Sequence, residues 1–261
     1  MFWQRSLGRL MASAVLVVLA GCAGLVPANL DYVVDMEPIL PEGRGDFYVD
    51  YDDGSVVFSK EGVLIKVRHL SDEELNRQYP PLYDGRHVNP YTHTARDPDK
   101  RYIPPRFTVF QITVINRSYA KVEFDPAKAV LVTEQGDEYR YYDPGREGAN
   151  PLGGNSFSKY YKTELGTSGN EKELNLERMG VVYKTVYHRR RPVFKGSERT
   201  GKLVFDPLPD GAQEAVLRLN EFVLSFDASG NPEETVDIEY RFRVEQGAIE
   251  SQAAGTSEDG G

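Results

Sequence analysis

The chain is poor in sulfur-containing residues and has no excess of positive charge. It contains one cysteine, Cys22, and four methionines among 261 residues. One cysteine excludes an internal disulfide and any metal site made of several thiolates, and so few methionines argue against a thioether copper cluster. Lys and Arg number 31 against 40 Asp and Glu, a formal net charge of −9. Attraction to phosphates dominates sequence-independent nucleic-acid binding, so nucleic acid is not an expected partner.

Motifs of the common enzyme classes are also missing. The sequence has no Gly-x-Ser-x-Gly, no complete Gly-x-x-x-x-Gly-Lys-Ser/Thr phosphate loop, no Gly-x-Gly-x-x-Gly and no His-Glu-x-x-His. A pair of carboxylates could still meet in space, as in glycoside hydrolases, and sequence spacing does not exclude an envelope hydrolase of that kind. The prediction is a non-catalytic protein without a cofactor.

The first 21 residues have the layout of a secretory signal. Arg5 and Arg9 place positive charge at the start, and residues 10–19 form an apolar run. That run is shorter than the about 20 residues that a membrane-spanning helix needs. Residues 1–21 are therefore predicted to be removed from the mature protein.

The apolar run ends in Leu19-Ala20-Gly21-Cys22. This sequence resembles the lipobox of bacterial lipoproteins. The resemblance implies that cleavage leaves Cys22 as the new N-terminus, acylated with palmitate-type chains that anchor the protein to a membrane. Because no Asp follows Cys22, the resemblance also favours the outer membrane over the inner one.

The rest of the chain reads mainly as strands. Prolines and glycines interrupt residues 22–46, which are predicted to be a lipidated tether. Residues 47–246 contain short alternating runs rich in β-branched and aromatic residues, the pattern of antiparallel strands. Residues 106–116 are apolar on both faces and are predicted to form an interior strand. Residues 247–261 are small and acidic, and are predicted to be a disordered tail.

Two long segments interrupt the strand pattern. Residues 71–105 begin with Ser71 and three acids, which predicts a short capped helix, and six prolines follow. Residues 143–199 include apolar positions at helical spacing over 173–187. The predicted fold is mainly β: an antiparallel two-sheet sandwich with two long excursions, at 71–105 and 143–199.

Three strand segments, residues 107–116, 128–142 and 201–207, resemble a bacterial immunoglobulin-like domain of the kind found on secreted lipoproteins. The paired cysteines and core tryptophan of antibody domains are absent, because Trp3 lies in the signal and Cys22 is the anchor. The resemblance implies an immunoglobulin-like β-sandwich. We expect a module that binds or braces another cell-envelope component, with an envelope protein as the expected partner.

Tyrosines and arginines concentrate around the second excursion. Tyrosine offers a large contact area with few rotatable bonds, which suits recognition of protein or glycan. Residues 188–191 are the one basic concentration and suit anionic lipid headgroups or an acidic partner. Alternatively, the rings cover the sheet and the arginines are a solvated surface. The candidate recognition surface consists of Tyr141, Tyr142, Tyr160, Tyr161, Arg189, Arg190 and Arg191.

Evidence for metal binding in the sequence is weak. Asp50, Asp52, Asp53 and Gly54 resemble the start of a calcium loop, but the glycine falls one place early for an EF-hand. A tight hairpin turn is the favoured interpretation, with adventitious calcium as the alternative. The four histidines show no ligand spacing. A lipoprotein that binds a small molecule, a metal or a glycan stays the alternative function.

Overall fold

The computed structural model describes residues 30–43, 45–145, 154–164 and 169–251. The predicted signal segment, Cys22 and most of the predicted tail lie outside these ranges. Within them the chain forms twelve β-strands and three α-helices, and all of the strand pairs are antiparallel. None of these helices is long and apolar enough to cross a membrane.

The first sheet contains both ends of the described chain. It has five strands, and its two edges are the first strand and a short strand from the middle of the chain. In spatial order its strands are β1 (Leu30–Ile39), β12 (Pro232–Glu250), β11 (Glu214–Phe226), β7 (Ala129–Thr133) and β8 (Glu138–Arg140).

The second sheet also has five strands, in the order β10, β5, β4, β3, β2. The predicted hairpin between β2 and β3 is confirmed, and β5 pairs with a neighbour on each side, as expected of an interior strand. The strands are β10 (Ser197–Phe205), β5 (Thr108–Asn116), β4 (Val63–His69), β3 (Ser55–Lys60) and β2 (Phe47–Asp50), with β6 (Lys121–Val122) and β9 (Val193–Phe194) forming a separate pair.

The two sheets pack face to face. Phe110 on β5 meets Phe242 on β12 with ring centroids 5.3 Å apart. The hydroxyl of Tyr240, also on β12, donates to the carbonyl of Ile65 on β4 at 2.8 Å. A fully buried phenylalanine side chain such as these two contributes about 1.5–3 kcal/mol. The arrangement confirms the predicted fold class, a mainly-β antiparallel two-sheet sandwich.

A helical layer covers the outer face of the second sheet. Val109 packs into a second apolar cluster with Leu75, Phe157 and Val182, whereas the neighbouring Phe110 faces the first sheet. This layer explains why β5 is apolar on both faces, because successive strand residues point to opposite sides. Its helices are α1 (Asp72–Gln78), α2 (Phe157–Glu164) and α3 (Gly169–Thr185).

The two excursions supply these helices and pack against each other. The hydroxyls of Tyr91, in the first excursion, and Thr185, in the second, lie 2.5 Å apart. Ser71 caps α1 by accepting the N–H of Glu74, as predicted from the sequence. The predicted helix over 173–187 is also confirmed, as α3. In the described ranges, the excursions are therefore an ordered layer of the fold.

The structure differs from prediction at the ends of the described chain. β1 lies inside the segment predicted to be a tether, and residues 247–250, in the predicted tail, complete β12. β1 pairs with β12 from Leu30 opposite Glu250 to Ile39 opposite Arg241 without a register shift. An edge strand tolerates Pro38, because its outward position needs no N–H, and that proline obscured the strand in the sequence.

Candidate functional site

The candidate tyrosines face the interior. Tyr141 is fully buried, and Tyr142 and Tyr161 are only 6% and 3% exposed. The Tyr141 hydroxyl donates to the carbonyl of Tyr187 at 2.9 Å, and burial raises its pKa well above the ordinary value. The Tyr160 ring contacts the Phe107 ring in a tilted arrangement, with ring centroids 4.9 Å apart. Tyr142, Tyr160 and Tyr161 pack in the apolar cluster over the second sheet, and Tyr141 packs in the core between the two sheets. The structure therefore favours the alternative interpretation, in which these rings are packing residues.

The three candidate arginines do not act as one patch. The Arg189 guanidinium donates two hydrogen bonds to the Asp125 carboxylate, at 2.8 and 2.9 Å, and this pairing raises its pKa. Arg190 and Arg191 are exposed in the turn that leads to β9. Arg189 is thus a structural residue, and a role in recognition stays a prediction for the other two.

The acidic hairpin is held together by a lysine. The Lys66 ammonium lies 2.8 Å from both the Asp50 and Asp53 carboxylates, and Asp53 also accepts the N–H of Ser55. Gly54 has a φ of 71°, which suits a tight turn. Across the described ranges, no three His, Cys, Asp or Glu side chains are grouped so that they could hold a metal ion. The structure of residues 50–55 therefore fits a tight hairpin turn between β2 and β3.

A groove lies between the edge strand β1 and the corner where β4 passes into α1. It consists of two adjoining cavities of about 250 Å³ each, which share Val34, Asp35, His69 and Ser71. Residues 32–36 of β1 form one wall and residues 68–74 the other. We call this the β1 groove. It joins an edge of the first sheet to the end of a strand in the second.

Two titratable side chains in the β1 groove have shifted pKa values. His69 ends β4 with its ring against Phe110, centroids 5.7 Å apart, and burial lowers its pKa to about 4. Burial raises the pKa of Asp72 to about 6, although the nearby charge of Arg106 opposes the shift. At neutral pH the groove therefore contains an uncharged imidazole and a carboxylate that is poorly solvated.

The ionised groups give the β1 groove a net negative charge. Arg68 and Glu74 neutralise each other through two hydrogen bonds of 2.8 and 2.6 Å. Among the described residues, neither Asp35 nor Asp72 forms an ion pair. Two unpaired carboxylates beside an open cavity favour a ligand with positive charge.

Sequence reasoning missed this groove. His69 was recognised only as a strand end and Asp72 only as an acid in the first turn of a helix, while Asp35 fell in the predicted tether. His69 and Asp72 flank the corner between β4 and α1, whereas Asp35 reaches them only because the two sheets pack together. The sequence contains no local signal that links Asp35 to the other two residues.

Comparisons with known proteins add little to this description. No protein-family model and no curated protein matches the chain. Among solved structures, the chain is similar to the crystal structure of the yjhA protein from Bacillus subtilis. That similarity has 12% sequence identity and a TM-score of 0.32, and it covers 70% of this chain and 93% of the other. Similarity at this level gives no information about function.

Proposed function

We propose that this protein is a non-catalytic lipoprotein of the cell envelope whose β-sandwich binds or braces another envelope protein through the β1 groove. The observation that carries the proposal is the position of the groove: an acidic cavity open along the edge of the strand that follows the predicted anchor. The tyrosines and Arg189 are not available for this task, because the rings pack in the interior and Arg189 is paired with Asp125.

The anchor in this proposal is Cys22. Acyl chains hold a protein on a bilayer by about 0.8 kcal/mol per buried CH₂ group, and two or more chains make the attachment stable. Leu19-Ala20-Gly21-Cys22 supports acylation, and the residue after Cys22 is Ala rather than Asp, which favours the outer membrane. The chain would therefore be held at a membrane by its acyl chains.

The anchor sets how far the β1 groove can be from the membrane. Seven residues separate Cys22 from Leu30, the first residue of β1. Even a fully extended segment from Cys22 to Leu30 spans at most about 29 Å. The groove would therefore face components at or close to the membrane surface.

The lining of the β1 groove favours a polypeptide over a compact ligand. Residues 32–36 of β1 line the two cavities in an unbroken run, so the groove follows the edge of the strand. An extended polypeptide matches such a run of strand residues, because it can pair with a sheet edge. A small-molecule or glycan ligand is therefore the less favoured function.

Replacing Cys22 tests the anchor. Cys22→Ser removes the acylated thiol, and we expect the protein to move from the membrane fraction to the soluble fraction. Ser13→Ala, in the apolar run of the signal, is the matched control and should leave the protein on the membrane. Attachment of the Cys22→Ser protein that only detergent releases would refute the lipid anchor.

Site-specific crosslinking in living cells tests the binding role. A photo-crosslinking amino acid at Asp35 or Glu73, on opposite walls of the groove, should capture the same envelope protein. Tyr83 is fully exposed and does not line the groove, so it is the control position. Equal capture from Tyr83, or no capture from either wall with good recovery of the tagged protein, would contradict the proposal.

A further inference from the structure

The outer edge of β1 has hydrogen-bonding groups that the sheet does not use. At its start, the Leu30 N–H donates to the Arg101 carbonyl at 3.2 Å, away from β12. The β1–β12 register has no shift, and alternate residues of an antiparallel strand point the same way. The N–H and C=O groups of Tyr32, Val34 and Met36 therefore also point away from β12.

Two other residues confirm that these positions of β1 point away from β12. Val244, opposite Met36, donates its N–H to the Gln213 carbonyl at 2.7 Å, away from β1. Pro38, at the next outward position, has no N–H to place in a ladder. In the described part of the chain, no backbone hydrogen bond is made on the outer edge between Tyr32 and Met36.

The unused edge opens into the β1 groove. Tyr32, Val33, Val34 and Asp35 all border the same cavity. Successive side chains of a strand point to opposite faces of the sheet, so four consecutive residues reach one cavity only along the strand's edge. The space beside β1 is therefore where another strand would lie.

Both ends of this free edge are defined. Arg101 already occupies the edge at Leu30, and Pro38 cannot donate at the other end. The three free positions between them span about 14 Å, the length of about five extended residues. Edges of this kind are usually covered or blocked in soluble proteins, because they pair readily with other strands.

Charge indicates which strand would fit. The groove places the unpaired carboxylates of Asp35 and Asp72 beside the edge, with Val34 and Met36 as its apolar contacts. A second copy of this chain would set one acidic groove against another, which repulsion disfavours. A segment that alternates apolar and basic residues satisfies both the carboxylates and the apolar positions.

We propose that the β1 groove binds an extended, cationic segment of a partner protein, which pairs with the edge of β1 as an added strand of the first sheet. Backbone hydrogen bonds to Tyr32, Val34 and Met36 would supply the affinity, and the carboxylates of Asp35 and Asp72 would supply the preference for Lys or Arg. The proposal rests on the proposed function and names the chemistry of the partner.

Amide hydrogen exchange of the acylated full-length protein in detergent tests strand addition directly. The probe is a synthetic peptide that alternates Lys and Val, added at millimolar concentration, with a Glu–Val peptide of the same length as the control. We expect the Lys–Val peptide alone to slow exchange at Tyr32, Val34 and Met36. Failure to protect these three amides, or equal protection by the Glu–Val peptide, would overturn the proposal.

A backbone variant isolates the edge hydrogen bonds. Val34→Pro removes the central outward N–H without removing a bond to β12, and we expect peptide binding to weaken about tenfold. Val34→Thr keeps the N–H and should bind as the unmodified protein does. If circular dichroism shows that Val34→Pro fails to fold, Tyr32→Pro replaces it. A folded proline variant with unchanged affinity would contradict strand addition.

The outcomes separate the two proposals. Crosslinks from both walls of the groove without amide protection would leave the proposed function intact and overturn strand addition. If the Cys22→Ser protein stays on the membrane and the peptide still protects the three amides, strand addition would stand and the lipid anchor would be refuted. Protection that appears without peptide and grows with protein concentration would identify a second copy of this chain as the occupant and overturn the proposed partner.

Discussion

His69 and Asp72 border the same cavity, and burial shifts their pKa values in opposite directions, to about 4 and to about 6. The cause is the same for both, because burial disfavours whichever form carries charge. His69 also feels the charges of Asp35, Glu74 and Arg68, and Asp72 feels that of Arg106. The groove therefore contains two groups whose contributions to stability oppose each other as the pH falls.

The first prediction concerns this opposition. Below the ordinary pKa of 3.8, protonated Asp72 favours folding, and that contribution is lost as pH rises through about 6. Neutral His69 favours folding above 6.5, and that contribution is lost as pH falls through about 4. Asp72→Asn should raise the free energy of unfolding at neutral pH by about 1–2 kcal/mol. His69→Gln should reduce the loss of stability in acid.

Urea unfolding across this pH range provides the measurement. The unmodified protein should show a shallow pH dependence, Asp72→Asn a steeper decline in acid and His69→Gln a rise. Glu73→Gln changes an exposed neighbour of Asp72 and is the matched control. Identical pH profiles for all four proteins would show that neither group is shifted by burial.

The second prediction tests the structural role of the inward-facing tyrosines. Tyr141→Phe deletes the hydroxyl that bonds to the Tyr187 carbonyl and leaves that buried acceptor unpaired. We expect a loss of about 1–3 kcal/mol in the free energy of unfolding, measured by urea titration. Tyr83→Phe removes a hydroxyl from a fully exposed ring and should change nothing. Equal stability of the two variants would argue against the hydrogen bond.

The third prediction separates the arginines. Arg189→Met breaks the two-bond pair with Asp125 and leaves a half-buried carboxylate, so we expect a loss of about 1.5–3 kcal/mol. Arg190→Ser and Arg191→Ser remove exposed charges and should shift stability by less than about 0.5 kcal/mol. Thermal unfolding of the three single variants measures the difference. A loss of stability in Arg191→Ser as large as in Arg189→Met would contradict this division of roles.

The fourth prediction concerns the close approach of the chain after α3 to β10. A methyl group on Gly201 would lie 2.6 Å from the Tyr187 Cα, nearer than atoms pack in proteins. Gly201→Ala should therefore cost about 1–3 kcal/mol, since the backbone must move. Gly247→Ala, also in a strand, meets nothing within 4 Å and should be neutral or slightly stabilising. Urea titration of both variants tests the contrast, which would fail if Gly201→Ala were as stable as Gly247→Ala.

Much of the fold was predictable because its signals are local. Alternation along residues 107–116 predicted a strand with two buried faces, and Ser71 followed by three acids predicted a capped helix. Asp53-Gly54 predicted a turn between two strands. Period, caps and turn residues act over a few positions, so the amino-acid sequence by itself determined these elements and the mainly β class.

Tertiary structure alone decided which surfaces are available. The tyrosines around the second excursion have the composition of a binding surface, but packing turned them inward, Tyr142 and Tyr161 under the helical layer and Tyr141 between the two sheets. β1 became a strand because β12, some two hundred residues away, supplies its hydrogen bonds. The β1 groove joins Asp35, His69 and Asp72 from three elements. Pairing and burial depend on contacts between distant segments, which no local pattern in the sequence encodes.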